Sequence, residues 1–283
     1  THFDLANNYG PKAGSAEVNF GKIVRENLMP YRDELVISTK AGYRMWSGPY
    51  GIGGSRKYLT SSLDQSLKRM GLDYVDIFYH HCMTPDTPLE ETALALADIT
   101  RRGKALYVGI SNYNGKKMHK MHHRCEDFDV PFIINQNRYS ILDRTVEKND
   151  LKKEAKSKKK GLIAFSPLAQ GLLTGKYKKN QPYPEGSRAT HQADKQINNL
   201  LTDENLNKVE ALEKIADELG VTMSVLALSW ILRKDIVSSV ITGASKKTQL
   251  ESNLAASGFV IPANALAEIE KILDFTRFER HVG

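Results

Sequence analysis

The sequence holds only two cysteines, Cys82 and Cys125, in 283 residues. So few exclude a disulfide framework and point to a reducing compartment such as the cytoplasm. There is no apolar run near the roughly 20 residues that a membrane span requires. The longest runs, residues 75–79 and 162–165, have the length of strands. No secretory leader is expected, because residues 1–4 already read as a strand. A dinucleotide fingerprint and a P-loop are also missing. Residues 51–54, Gly-Ile-Gly-Gly, lack the G-x-G-x-x-G spacing and read as a mobile loop. Acidic residues are in deficit: 33 Asp and Glu against 40 Lys and Arg leave a net charge of +7. A basic balance suits nucleic acid or an anionic small molecule. The lysines are scattered with no aromatics interleaved at regular spacing, which argues against nucleic acid.

What is present is a rhythm. Strand-like segments at residues 2–6, 35–40, 74–81, 106–110, 132–136, 162–165 and 237–242 are short and apolar, without clean alternation. That composition suits strands buried on both faces of a parallel sheet. Helical patterns lie between them at 15–27, 60–70, 88–102, 116–125, 148–159, 202–219, 222–232, 246–256 and 263–273. Thr60 reads as a cap, and Gly71 and Gly220 as stops. Alternation of this kind predicts an α/β fold with helical crossovers, as one domain over residues 1–283. Seven strands are one short of a closed (β/α)8 TIM barrel, so the expected architecture is that barrel with its first βα unit absent from this chain. Residues 176–199, with Pro182, Pro184 and Gly186, form one long irregular loop, and such loops are usually functional or disordered.

Polar residues cluster where strands end: Asp4 and Tyr9 after the first, Lys40 after the second, His80 and His81 after the third. In a β/α barrel the carboxyl ends of different strands converge on one mouth. Together these residue types suit carbonyl reduction. A tyrosine hydroxyl can protonate the carbonyl oxygen, but its pKa near 10 makes it a weak acid. An ammonium at ~4 Å would favour the phenolate by about 4 kcal/mol at an effective dielectric near 20. Lys40 would supply that charge and lower the Tyr9 pKa, Asp4 would hold Lys40 charged, and His81 would orient the carbonyl. No metal is needed. The loops after the last two strands, at 166–176 and 243–250, offer backbone amides and cations to a phosphate.

Residues 3–10 (Phe-Asp-Leu-Ala-Asn-Asn-Tyr-Gly), 38–40 (Ser-Thr-Lys), 76–81 (Asp-Ile-Phe-Tyr-His-His) and 108–112 (Val-Gly-Ile-Ser-Asn) resemble the signature blocks of the aldo-keto reductase superfamily. The likeness runs from residue 1 to about residue 273. Residues 41–43, 46–51 and 55–59 are similar to the branch that holds bacterial L-glyceraldehyde 3-phosphate reductases and potassium-channel β-subunits. The resemblance implies a catalytic tetrad of Asp4, Tyr9, Lys40 and His81, with His80 beside it and not part of it. It implies NADP(H) as cofactor. Ser111, Asn112 and Gln136 would hold the carboxamide, and Phe165 would stack on the nicotinamide. Ser166, Leu168, Gln170, Gly171, Lys176 and Arg188 would line the phosphates. Ser245 and Lys246 would meet the 2′-phosphate, Gln249 and Asn253 the adenosine, and Gly243 would bind the cofactor from the same loop. Ser252 stands where many relatives have Glu.

The expected reaction is NADPH-dependent reduction of a small aldehyde, of which L-glyceraldehyde 3-phosphate and methylglyoxal both fit, with Tyr43 and Trp46 walling the substrate pocket. The alternative is a nucleotide-binding subunit that senses redox state. Neither a nucleic-acid nor a membrane partner is expected, and a homo-oligomer is compatible with the sequence. His119, His122, His123 and Cys125 have metal-ligand spacing, yet no acidic partner is visible for them, so they read as a solvated outer helix. Lys156 to Lys160 read as a solvated helix end, and Trp230 as core.

Overall fold

The computed structural model describes residues 1–190 and 195–273. They fall into two compact units: Thr1–Gln136 with Asp150–Gly161, and Asn137–Asn149 with the described part of Leu162–Gly283. All seven expected strands form: β1 (His2–Asp4), β2 (Val36–Ala41), β3 (Val75–His80), β4 (Ala105–Ser111), β5 (Phe132–Arg138), β6 (Gly161–Phe165) and β7 (Val237–Val240). In the first unit β1 to β5 pair in parallel and in chain order, with Asp4 opposite Ser38, Lys40 opposite Tyr79, Tyr79 opposite Gly109 and Ser111 opposite Gln136. In the second unit β6 pairs with β7, also in parallel.

The helices are α1 (Ser15–Ile23), α2 (Arg56–Met70), α3 (Leu89–Arg101), α4 (Gly115–Asp127), α5 (Thr145–Lys148), α6 (Leu151–Ser157), α7 (Lys195–Asn198), α8 (Asp203–Glu218), α9 (Met223–Leu232), α10 (Lys247–Leu254) and α11 (Ala263–Leu273). In the first unit each packs on the next: α1 on α2, α2 on α3, α3 on α4, and α4 on α6. α1 runs on as a π turn, Val24–Leu28, and a 3-10 segment, Met29–Glu34.

Two boundaries differ from the sequence expectation. α2 starts at Arg56, because Ser55 Oγ accepts the Tyr58 N–H at 3.3 Å and does the capping expected of Thr60. Residues 148–159 are not one helix. The chain breaks into α5 and α6 at Asp150, which takes φ 61. The Asp150 backbone there lies against the start of α4, and a Cβ on Gly115 would meet its carbonyl carbon at 2.6 Å. Only glycine admits that approach.

In the second unit α9 is apolar all round and nearly all of it is buried, which marks a core helix. Val225 and Leu228 of α9 pack with Ala256, and Val240 and Phe259 close over them. Trp230 is fully buried as expected, with Arg233 stacked on its ring at 3.8 Å. Among the described residues no single helix is long and apolar enough to cross a membrane.

Candidate active site

The first unit gathers four groups from three strand ends. Strand alternation turns Ser38 and Lys40 to one face of the sheet and Thr39 to the other. On the first face Lys40 Nζ, fully buried, donates to Asp4 Oδ2 at 2.5 Å and to the Leu5 carbonyl at 2.7 Å. The other carboxylate oxygen of Asp4 accepts from Ser38 Oγ at 2.9 Å and from Gln136 Nε2 at 3.0 Å. On the opposite face Thr39 donates to Glu17 of α1 at 2.5 Å, and Glu17 pairs with Arg69 at 2.7 Å. Both faces of one strand are thereby tied down by buried carboxylates.

Tyr9 lies with its ring centre 5.0 Å from Lys40 Nζ. His81 meets the Tyr9 ring edge-on at 5.9 Å and the Tyr43 ring edge-on at 4.5 Å. His80, the residue before it, points the other way, and its Nδ1 pairs with Tyr113 Oη at 2.6 Å deep in the protein. Alternation thus turns one of two adjacent histidines toward Tyr9 and Tyr43 and the other toward Tyr113. Asn112, held at φ 63, donates to the His81 carbonyl at 3.1 Å, to Ser111 Oγ at 3.2 Å and to Tyr43 Oη at 3.4 Å. Trp46 packs on Tyr58 at 5.5 Å, and Tyr58 Oη donates to the Tyr43 carbonyl at 2.5 Å. Tyr43 therefore touches the cluster directly and Trp46 supports it from behind. The glycine-rich segment 51–54 is pinned rather than loose. The Met45 N–H donates to the Gly51 carbonyl at 2.9 Å, the Gly53 N–H to the Gly42 carbonyl at 2.7 Å, and Gly51, Gly53 and Gly54 are buried.

The electrostatics depart from expectation at Tyr9. Its pKa is raised, by burial first and then by the Asp4 and Tyr43 charges. Burial is the largest cause, and the carboxylate that pairs with Lys40 adds to it. Burial lowers the Lys40 pKa, while Asp4 and Glu17 push it back up. Burial holds His81 down to about 2 and His80 down to about 4, so both are neutral imidazoles at ordinary pH.

In the second unit the segment after β6 is bent through left-handed backbone at Ser166 (φ 53), Ala169 (φ 47), Gln170 (φ 59) and Gly171 (φ 96). Such strain in residues other than glycine concentrates at ligand sites. Leu168 closes that bend by accepting the Gly171 N–H at 2.9 Å. Gln170 Nε2 donates to Ser166 Oγ at 3.2 Å, and the Lys176 ammonium lies over Gly171. Phe165 is stacked by the Arg138 guanidinium at 5.7 Å. Arg188 is exposed at the start of a short 3-10 turn, Arg188–Thr190. Gly243, Ser245 and Lys246 are exposed and lead into α10. Gln249 Oε1 accepts from both the Ser245 N–H, at 2.9 Å, and the Ser245 hydroxyl, at 3.2 Å. Asn253 is half-buried on the same helix. Residues 191–194 of the long loop lie outside the described residues.

Several residues of the cluster were not singled out from sequence. Ser38, two before Lys40 on one face, could have been found from the period of two alone. Glu17 and Arg69 could not, because nothing local tells a buried ion pair from two surface charges. Gly109 was read only as part of a motif. A Cβ there would lie 2.3 Å from the Tyr79 ring, so the bare backbone is what lets Tyr79 lie beside Lys40.

A parallel α/β sheet with these groups at its strand ends defines a class, and comparison with known proteins gives the family. Residues 1–274 match the Aldo/keto reductase family, and the chain belongs to it. It is thus an oxidoreductase of a family that generally uses NAD(P)H, with the family's α/β barrel class of fold. The chain is 51% identical over 275 residues to the L-glyceraldehyde 3-phosphate reductase of Escherichia coli (strain K12), a match covering 96% of this chain and 79% of that protein. It is 37% identical over 274 residues to a protein of Arabidopsis thaliana described as a probable voltage-gated potassium channel subunit beta, covering 95% of this chain and 81% of the other. Among solved structures it is similar to a thermostable aldo-keto reductase crystallised with the inhibitor epalrestat, with a TM-score of 0.73 and 26% identity, covering 96% of this chain and 82% of that one.

Proposed function

We propose that this chain reduces a small aldehyde with NADPH and that Tyr9 gives the proton to the carbonyl oxygen. The observation that supports this reading is the joint placement of Tyr9 and His81, ring to ring at 5.9 Å, beside a buried Lys40–Asp4 pair. The relative named as an L-glyceraldehyde 3-phosphate reductase makes that phosphorylated aldehyde the first substrate to try.

The residues suit a nicotinamide nucleotide. The backbone after β6 is already strained into the left-handed region, and the loop before α10 is open, with nothing within 4 Å of a Cβ on Gly243. Ser111, Asn112 and Gln136 would hold the carboxamide and Phe165 the ring. Ser166, Leu168, Gln170, Gly171, Lys176 and Arg188 would hold the phosphates. Ser245 and Lys246 would select the 2′-phosphate, and Gln249 and Asn253 would meet the adenosine. When bound, the nucleotide supplies the hydride.

The chain's own groups do the rest. A raised Tyr9 pKa is no obstacle to donation. The alkoxide being protonated is about as basic as hydroxide, whose parent water has a pKa near 15.7, so the proton moves downhill. As it leaves, negative charge grows on Tyr9 Oη beside Lys40. Asp4 keeps Lys40 charged against burial and fixes its position. His81, neutral, offers a hydrogen bond to the carbonyl oxygen without competing for the proton.

The test is the loss of NADPH absorbance with a panel of short aldehydes, glyceraldehyde 3-phosphate among them. Turnover supports the reductase reading. Tight NADPH binding with no turnover on any aldehyde would overturn it in favour of a nucleotide-sensing subunit, the reading that the similarity to the channel subunit suggests.

A further inference from the structure

A second cluster of titratable side chains lies on the face built by α3, α4 and α6. His119 and His123 stand one turn apart on α4, their ring centres 4.7 Å apart at 76°. Both side chains are 48% exposed. They line a surface groove of about 410 Å³ together with Leu89, Glu90, Lys120 and Arg124. Each has its Nδ1 engaged by a carboxylate: His119 by Glu154 of α6 at 3.0 Å, and His123 by Glu126 at 3.1 Å. A carboxylate at Nδ1 keeps the proton on that nitrogen and leaves the lone pair at Nε2 for a ligand, as in carboxylate–histidine–zinc arrangements.

The spacing agrees. With Nε2–metal bonds of ~2.1 Å each ring centre sits ~3.2 Å from the ion, so two imidazoles at right or tetrahedral angles have centres about 4.5–5.2 Å apart. The observed 4.7 Å falls inside that window. We propose that His119 and His123 form a two-imidazole site for a late first-row divalent cation such as Ni2+, Cu2+ or Zn2+. Imidazole nitrogen suits these ions, whereas Mg2+ and Ca2+ require oxygen donors.

Among the described residues no group of three or more His, Cys, Asp or Glu side chains is placed to hold a metal. The site is therefore an open one, with water in the remaining positions, and it exchanges its ion. Cys125 is buried and His122 is turned to Glu126 at 3.3 Å, so neither takes part. The local charge permits a dication. Glu154 and Glu126 lie on the two imidazoles, and Arg124 is drawn off by Glu90 at 2.8 Å and Asp127 at 2.9 Å. Glu126 lies within reach of His123 on the same helix, a partner that the sequence pattern offers locally. Glu154 is 35 residues from His119, and only the packing of α6 on α4 brings it there.

The test is isothermal titration of the full-length, tag-free protein with NiCl2. We expect one Ni2+ per chain, at least a tenfold loss of affinity in His119→Gln and in His123→Gln, and no further loss in the double variant. Glu154→Gln should weaken binding by about tenfold, the usual cost of losing an outer-shell carboxylate. Cys125→Ala should leave affinity unchanged. All the substituted residues but Cys125 are partly exposed, and circular dichroism confirms the fold of each variant. Wild-type affinity in both histidine variants, or no Ni2+ taken up by the wild type at millimolar concentration, overturns the site.

Discussion

The Lys40 ammonium and the Asp4 carboxylate, 36 residues apart in the chain, meet at 2.5 Å with both side chains almost wholly out of solvent. The parallel register that sets Asp4 beside Ser38 also brings Lys40 over it, two residues further along the same face. A buried charge without its partner is costly, so each residue needs the other to be tolerated at all.

Asp4→Asn should therefore lose stability as well as turnover. Breaking one side of a buried pair costs about 3–5 kcal/mol. Urea unfolding measures it, and a change below about 1 kcal/mol would show that the pair is solvated in solution.

Tyr9→Phe separates binding from chemistry. Loss of a general acid lowers turnover by about 10²–10⁴. NADPH affinity, read by fluorescence titration, should stay within twofold of the wild type. Retention of most turnover would remove Tyr9 from the mechanism.

His80 and His81 are held neutral by burial, at about 4 and about 2, below the ordinary value of 6.5. The unfolded chain then binds more protons than the folded one at pH values below 6.5. Stability is complete above that pH and falls as the pH drops, through about 4 for His80 and on toward 2 for His81. Each contributes up to about 1.4 kcal/mol per pH unit. The urea midpoint should fall between pH 7 and pH 5, and fall less steeply in His80→Asn. Equal slopes in the two proteins would show that His80 is not the group responsible.

Gly109→Ala tests the packing behind the site. The added methyl would lie 2.3 Å from the Tyr79 ring, so the ring or the strand must shift. Overpacking of this kind costs about 1–3 kcal/mol. Turnover should drop as well, since Tyr79 lies 5.6 Å from Lys40. A variant as stable as the wild type would mean that Tyr79 has room to move.

Sequence periodicity and end signals were enough for the seven strands and for most helix positions, because apolar spacing and glycine stops are local facts. Thr202 and Thr222 cap their helices through side-chain oxygens, at positions the pattern marks as starts. Local signals failed where two segments of the chain settle a question together. The break at Asp150 depends on α4 lying against it.

The chemistry divides in the same way. The sequence by itself determined which residue types stand at the strand ends, since a strand's length and its following turn are written in a few neighbouring residues. Only the tertiary structure decided their relations: that burial first, and the Asp4 charge after it, raises the Tyr9 pKa, and that Glu154 reaches His119. Each of these depends on distance and burial between segments far apart in the chain, and Coulomb and desolvation energies act through space rather than along the sequence.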